Sequence, residues 1–218
     1  MKEIMKISPA EIEKKSFEII TEELGNRQID SQQAPVIKRV IHTTADFEYA
    51  ESLYFSPGVI EKAKAALSEG ALIVTDTKMA MAGINKKVVR RLGGRVECFI
   101  ADDDVSETAK TSGSTRAAAS VDKAAKLCQE EGFKLIYAVG NAPTALIRLR
   151  ELIDEDKIEP ELIVGVPVGF VNVVAAKELI IESGCSCIVA RGRKGGSNVA
   201  ACIINALLYE IDKSRGEG

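Results

Sequence analysis

The stretch LIVGVPVGFVNVVAAKELIIESGCSCIVARGRKGGSN, from Leu162 to Asn198, decides the fold class of this chain. It contains two short apolar runs, Leu162 to Val166 and Cys187 to Ala190, with a helical segment from Val173 to Ser183 between them. Two strands joined through a helix pair in parallel, because the crossover returns the chain to the same end of the sheet. The stretch therefore predicts a parallel sheet that helices cover on both faces.

The same alternation extends along the rest of the chain. Further strands are predicted at Ala71 to Thr75, Arg95 to Ile100 and Lys134 to Val139. Further helices are predicted near Lys86 to Leu92, Thr115 to Glu131, Thr144 to Glu155 and Asn198 to Ile211. Three more precede the sheet: one from Ser8 to Gly25, one from Pro35 to near His42 and one from Ser56 to Gly70. We expect an α/β three-layer sandwich with a mainly parallel five-stranded sheet, preceded by N-terminal helices, as a single domain over residues 1–218.

Composition excludes several classes of function. The 218 residues carry 29 Lys and Arg against 32 Asp and Glu, without a long basic run, which disfavours nucleic acid as a partner. No apolar run approaches the roughly 20 residues that cross a bilayer, so we expect no membrane partner. The five cysteines follow no signal-peptide pattern, which indicates reduced thiols in the cytoplasm. With one histidine and no zinc-type spacing, we expect no protein-bound metal.

The loops that follow the predicted strands are rich in glycine and polar side chains. They are Asp76 to Lys78, Gly140 to Pro143, Pro167 to Asn172 and Arg191 to Asn198. Each could be an ordinary strand-to-helix turn. Ligands of parallel sheets bind beyond the carboxyl ends of the strands, so the set together predicts a large pocket.

The last of these loops has the strongest binding signal. It sets three cations, Arg191, Arg193 and Lys194, among glycines that include Gly195 and Gly196, directly before a helix N-terminus. Positive charge, close backbone approach and unpaired amides all favour an anion. The alternative is a solvated basic turn. Neither a phosphate-loop motif nor a dinucleotide-binding glycine motif is present, so no motif supports a nucleotide cofactor.

His42, the only imidazole, is the candidate for proton transfer near neutral pH. The negative end of its helix favours an imidazolium there, and Arg39 on the same face would oppose that charge unless an anion lies between them. The alternative is a purely structural histidine. Ser16 lies on an apolar stripe, where its hydroxyl either faces a ligand or bonds back to the carbonyl of Ile12.

Three other features have both a functional and a structural interpretation. Arg116, after Thr115, lies in a first helical turn that disfavours a cation, which an anionic partner would explain. The aromatic residues between Phe47 and Phe55 either line a flat ligand or, as is more common, belong to the core. Asp102 to Asp104 could bind Mg²⁺, but without a second acidic motif we interpret them as a solvated loop or helix cap.

Four motifs in order resemble one known family. IHTTADFEYA (Ile41 to Ala50), GNAPTAL (Gly140 to Leu146), PVGFVNVVAAKE (Pro167 to Glu178) and RGRKGGSNVAA (Arg191 to Ala201) are similar to precorrin-8X methylmutases, also called precorrin isomerases. The likeness also includes SFEII (Ser16 to Ile20) and STRAAA (Ser114 to Ala119), and it covers nearly the whole chain.

The resemblance implies an α/β homodimer of cobalamin biosynthesis that moves the methyl group at C-11 of precorrin-8X to C-12. The product is hydrogenobyrinate, or cobyrinate where the substrate contains cobalt. The family's catalytic histidine falls on His42, which we expect to act as proton donor. An intramolecular shift needs no methyl donor or redox cofactor, so we expect no cofactor.

The resemblance also suggests which side chains bind the corrinoid tetrapyrrole. Its peripheral carboxylates would pair with Arg39, Arg116, Arg191, Arg193 and Lys194. Neutral contacts would come from Ser16, Thr115, Asn141, Asn172, Gly195 and Gly196. Two alternatives remain: a corrinoid carrier without activity, and a phosphate-ester or nucleotide enzyme built around Arg191 to Ser197.

Overall fold

A computed structural model of the chain describes residues 8–212. Within them the strands are β1 (Leu53–Phe55), β2 (Leu72–Thr75), β3 (Arg95–Glu97), β4 (Leu135–Val139), β5 (Leu162–Gly165) and β6 (Cys187–Ala190). The helices are α1 (Pro9–Leu24), α2 (Ala34–Thr44), α3 (Tyr49–Ser52), α4 (Val59–Ser68), α5 (Lys78–Gly83), α6 (Lys86–Arg91), α7 (Asp103–Ser112), α8 (Arg116–Glu131), α9 (Pro143–Asp154), α10 (Val173–Glu182) and α11 (Ser197–Ile211). The predicted α/β alternation is confirmed from β2 onward.

The strands form one sheet in the order β1-β6-β5-β4-β2-β3. Strands β6, β5, β4, β2 and β3 run parallel, and β1 pairs antiparallel to β6, with Leu53 opposite Ala190. The prediction of a mainly parallel sheet is confirmed, but the described sheet has six strands, not five. The additional strand, β1, is a three-residue edge strand between two helices, too short to show an alternating apolar pattern.

Alternate residues of each central strand face two separate apolar clusters, as strand geometry requires. One cluster, between the sheet and helices α2, α4 and α11, includes Ile73, Ile136, Val164 and Ile188. The other, between the sheet and helices α8, α9 and α10, includes Val74, Tyr137, Ile163 and Val189. Both faces of the sheet are therefore covered, which confirms the predicted three-layer sandwich.

The N-terminal helices pack outside the first of these layers. In α2 the apolar spacing of Val36, Ile37, Val40 and Ile41 buries all four side chains, and the helix packs on α11. Helix α1 lies on α2 and buries Ile20 and Leu24. Because α11 begins at the carboxyl edge of the sheet and contacts α2 along its length, the end of α2 comes close to that edge.

The chain reverses direction across the sheet at one point. After β2 it forms β3 on one side, and then returns to form β4 on the other side of β2. The loops after β2 and β4 therefore lead to opposite faces of the sheet and leave a crevice between them, where open α/β folds bind ligands.

Candidate functional site

The carboxyl edge of the sheet brings together elements that are distant in the sequence. The hydroxyl of Thr115, at the start of α8, donates to that of Thr144, at the start of α9, over 2.9 Å. On the other face, the hydroxyl of Thr43, at the end of α2, lies 3.0 Å from the sulfur of Cys202 in α11. The edge therefore includes the start of α8 and the end of α2, together with the loops after β2, β4, β5 and β6.

The crevice at the reversal point is filled by a carboxylate of the protein itself. Asp76, directly after β2, is 2% exposed and accepts hydrogen bonds from the amides of Gly140, Asn141 and Ala142 at 2.8, 2.8 and 2.7 Å. Burial raises the pKa of Asp76, and the three amide donors oppose that shift. These amides are consequently unavailable to a phosphate, which weighs against the nucleotide alternative.

His42 lies in the last turn of α2 with an exposed side chain. Its ring stacks on Phe17 of α1, with the centroids 5.3 Å apart and the planes 20° apart. Neither ring nitrogen hydrogen-bonds to any residue between 8 and 212. The imidazole is thus held on one face and is free to exchange a proton with a ligand.

Arg39, one turn before His42, already has protein partners. Its guanidinium lies 2.6 Å from a carboxylate oxygen of Glu13 and 5.0 Å from the ring centroids of Phe17 and Tyr209. The side chain is 17% exposed. The charge of Arg39 is therefore already paired with a protein carboxylate, that of Glu13.

Ser16, on α1, takes the local hydrogen bond of the structural alternative. Its hydroxyl donates to the carbonyl of Ile12 at 2.8 Å, and the side chain is half-buried. A substrate could still donate to this hydroxyl, because an oxygen with one donated bond retains acceptor capacity.

The three cations of the basic loop, residues 191–196, differ in how far protein carboxylates already pair with them. The ammonium of Lys194 lies 2.6 Å from Asp46 and 2.7 Å from Glu48, and these carboxylates raise its pKa. In return, the ammonium lowers the pKa of Asp46. Lys194 thus connects the basic loop to the segment after α2, and its positive charge is paired with the two carboxylates there.

The two arginines of the basic loop are more available. The guanidinium of Arg191 lies 5.2 Å from the ring centroid of Tyr54 and 3.7 Å from Glu178. That of Arg193 lies 5.3 Å from the ring centroid of Phe170 and has no carboxylate partner within the part of the chain that the structure describes. Both side chains are exposed, so they can reach an external anion.

Gly195 and Gly196 allow the basic loop to pack closely on the loop after β5. A Cβ on Gly195 would lie 2.1 Å from the carbonyl oxygen of Val166. The amide of Gly196 donates to the same oxygen at 2.8 Å. Any larger residue at position 195 would therefore displace the basic loop.

The remaining predicted residues lie at the same edge. Thr115 is the N-cap of α8 and accepts from the amide of Ala118, and Arg116 after it is exposed, without an ion pair to any described residue. The backbone amide of Asn141 donates to Asp76, and the residue is exposed. Asn172 is exposed too and adopts a left-handed conformation (φ 58°) at the start of α10.

Sequence reasoning missed an apolar surface beside these cations. Val168, Phe170 and Val171, after β5, are 50%, 81% and 78% exposed, and Met79, after β2, is 72% exposed. Large exposed apolar side chains close together mark interaction sites. The run Val168 to Val171 could have signalled this surface, since apolar residues outside a strand or helix have no obvious core to enter.

The aromatic residues 47–55 belong mainly to the core, as the structural interpretation held. Tyr49 is 3% exposed, and Phe47 and Phe55 pack against the same buried cluster. Asp102, the N-cap of α7, and Asp104, in its first turn, pair with Lys123. Across residues 8–212 no group of three or more His, Cys, Asp or Glu is arranged to hold a metal ion. In the same range, no helix combines the length and apolarity needed to span a bilayer.

Comparisons with known proteins agree with this architecture. The family model for precorrin-8X methylmutase matches residues 11–210. A cobalt-precorrin-8 methylmutase of Salmonella typhimurium is 45% identical, with 93% of this chain and 96% of the relative covered. One of Priestia megaterium is 42% identical, with 94% and 90% covered. The crystal structure of a precorrin-8x methyl mutase from Thermus thermophilus superposes with a TM-score of 0.81 at 38% identity, covering 92% of this chain and 97% of that one. This chain belongs to the precorrin-8X methylmutase family, whose members are isomerases that transfer a methyl group within one molecule.

Proposed function

We propose that this chain shifts the methyl group at C-11 of a precorrin-8-type corrinoid to C-12, with His42 as the proton donor. The observation that carries the proposal is the exposed His42 imidazole, without a hydrogen-bond partner among residues 8–212, at the same edge of the sheet as the unpaired guanidinium groups of Arg116 and Arg193. A proton donor at the same edge as two unpaired cations suits a substrate that is both conjugated and polyanionic.

The chemical role of His42 follows from the isomerisation itself. The methyl group leaves one ring carbon and bonds to another in the same molecule, so the enzyme supplies no atoms. Protonation of a ring nitrogen by the imidazolium makes the conjugated system a better acceptor for the migrating group, and the proton returns to the imidazole afterwards. General-acid assistance of this type supplies roughly 10² to 10⁴ in rate.

The cations of the edge would bind the substrate carboxylates. Arg116, Arg191 and Arg193 are exposed and can form bidentate pairs with carboxylates. Arg39 and Lys194 would contribute only by exchanging a protein carboxylate, that of Glu13 for Arg39 and those of Asp46 and Glu48 for Lys194.

Neutral and apolar groups complete the proposed binding surface. Val168, Phe170 and Val171 would lie against the flat macrocycle, because their exposed area supports an apolar contact beside the cations. The neutral polar contacts proposed at the rim are Ser16, Thr115, Asn141, Asn172 and the backbone of Gly195 and Gly196.

The metal content of the substrate is a finer question. The relatives of Salmonella typhimurium and Priestia megaterium are named cobalt-precorrin-8 methylmutases, which supports the cobalt-containing substrate and cobyrinate as its product. We further propose that the enzyme works in the cytoplasm as a homodimer. The association of two copies rests on the family resemblance, and sedimentation would measure the mass of the assembly.

The experiment that tests the proposed function separates an enzyme from a corrinoid carrier. Purified protein is mixed with precorrin-8X or with its cobalt-containing form, and the visible spectrum is followed over time. A catalyst converts an excess of substrate through many turnovers to hydrogenobyrinate or cobyrinate. A carrier would bind added product stoichiometrically and leave the substrate spectrum unchanged, and that result would overturn the proposal.

A further inference from the structure

A buried lysine lies beneath the basic loop. Lys177, in α10, is fully buried, and its ammonium donates to the carbonyl oxygens of Gly192 and Lys194 at 2.8 and 2.9 Å. The two acceptors are the residues on either side of Arg193. One side chain of a neighbouring helix thus holds the basic loop at two points.

The rest of the basic loop's backbone complements this clamp. The carbonyl of Arg193 accepts from the amide of Gly169 at 3.2 Å, between the two carbonyls that face Lys177. Three successive carbonyls therefore have fixed partners, which sets the orientation of the peptide planes around Arg193. Its side chain is directed outward, over Phe170.

The ammonium at this position is costly for the fold. No carboxylate between residues 8 and 212 forms an ion pair with Lys177, and burial lowers its pKa to about 8, although Glu178 opposes that shift. An unpaired buried charge is costly for folding unless hydrogen bonds compensate. Apolar residues of the same helix, Ala176 and Ile180, already pack it on the sheet, so packing alone does not require a lysine.

We propose that Lys177 is a positioning residue that prepares the basic loop for the substrate. By clamping the carbonyls of Gly192 and Lys194, it fixes the guanidinium of Arg193 in the direction from which a substrate carboxylate approaches. A cation fixed before binding loses less conformational entropy when the ion pair forms. This inference rests on the proposed function, since it assigns the preparation of the same anion-binding surface.

The test compares Lys177→Met, which keeps the side-chain length and removes the donors, with Ile180→Ala, which perturbs the same helix one turn away. Hydrogen exchange of the backbone amides of residues 191–196, measured without ligand, reports how firmly the backbone of the basic loop is held. We expect faster exchange in Lys177→Met, together with an increase of about tenfold or more in the KM for the corrinoid substrate and in the Kd for the product. The kcat should stay within about threefold, because the proton donor is untouched. Lys177→Gln, which retains an amide donor, should recover part of the affinity.

Two results would overturn the proposal. One is unchanged exchange and affinity in Lys177→Met. The other is an equal loss of affinity in Ile180→Ala, which would assign the effect to a general disturbance of α10. Should Lys177→Met fail to fold, Lys177→Gln and Ile180→Ala carry the same comparison. If the wild-type protein neither binds nor converts the corrinoid, the proposed function fails, while the exchange data still decide whether Lys177 orders the basic loop.

Discussion

The ring of Phe17 stacks on the imidazole of His42, with the ring centroids 5.3 Å apart. This contact joins α1 to the end of α2 and restrains a side chain that is otherwise exposed. The guanidinium of Arg39 lies 5.0 Å from the centroid of the same Phe17 ring. One aromatic residue therefore orders both of the basic side chains predicted at the end of α2.

Phe17→Leu should lower kcat, because the imidazole loses its stacking partner and samples other rotamers. Aromatic pairs contribute about 0.5 to 1.5 kcal/mol beyond their buried area, so we expect a loss of roughly 2- to 12-fold. Phe17→Tyr keeps the ring and should retain most of the activity. Steady-state turnover of both variants measures this, and equal kcat values for the leucine and tyrosine variants would contradict it.

Arg193→Gln should weaken substrate binding more than it affects the fold, because this guanidinium has no ion pair to lose among the described residues. Loss of a hydrogen bond to a charged group costs about 1.5 to 3 kcal/mol, so KM should rise roughly 10- to 150-fold. The control is Arg90→Gln, which removes the same charge from an exposed position at the end of α6, at the opposite edge of the sheet. A similar increase in KM in both variants would indicate long-range electrostatics in place of a local contact.

The Lys194 to Asp46 pair should make stability depend on acid pH. The ammonium holds the pKa of Asp46 below its ordinary 3.8, so the stabilisation is complete above about pH 4 and is lost as the pH falls through the lowered pKa. We expect wild type to exceed Asp46→Asn in unfolding free energy at neutral pH, with the difference shrinking as the pH falls below 3.8. Urea unfolding across this range measures it, and a difference that grows on acidification would refute the assignment.

Lys177 should produce a second dependence of stability on pH, in the alkaline range. Its pKa falls from 10.5 to about 8 on folding, so the cost of the buried ammonium is complete below pH 8 and is relieved as the pH rises toward 10.5. Relative to Lys177→Met, wild type should gain up to about 3 kcal/mol of unfolding free energy across that window. A flat difference between the two proteins from pH 8 to 10.5 would mean that Lys177 titrates normally in the folded state.

The sequence predicted the sheet well because the four central strands, β2, β4, β5 and β6, carry nearly continuous apolar runs. Strand β1 was missed, since its pairing with β6 is decided by tertiary contacts and not by its own three residues. Helices α3, α5 and α7 were also missed. The first two are only four and six residues long, and α7 buries only Val105 and Ala109. Short elements depend on their neighbours, and one sequence does not encode those neighbours locally.

The site was less predictable than the fold. Lys177 lies at helical spacing from Val173 and Ile180, which share the buried face of α10 with it. Because Val174 and Leu179 make other faces of this helix apolar as well, the sequence alone does not mark that face as the buried one. Arg39 pairs with Glu13 and Lys194 pairs with Asp46, and the partners are far apart in the chain. The sequence therefore did not predict these pairings, and both cations were expected to be available to the substrate. The roles of His42 and of the substrate-binding residues stay predictions, which mutagenesis can test.

The role of His42 is tested most directly by turnover of the purified corrinoid substrate by His42→Ala, beside Lys38→Ala on the same helix as control. We expect a fall in kcat of about 10²- to 10⁴-fold in His42→Ala, with product affinity within about threefold of wild type and Lys38→Ala unaffected. Turnover by His42→Ala within about tenfold of wild type, a loss of less than about 1.4 kcal/mol, would contradict the role of His42 as proton donor.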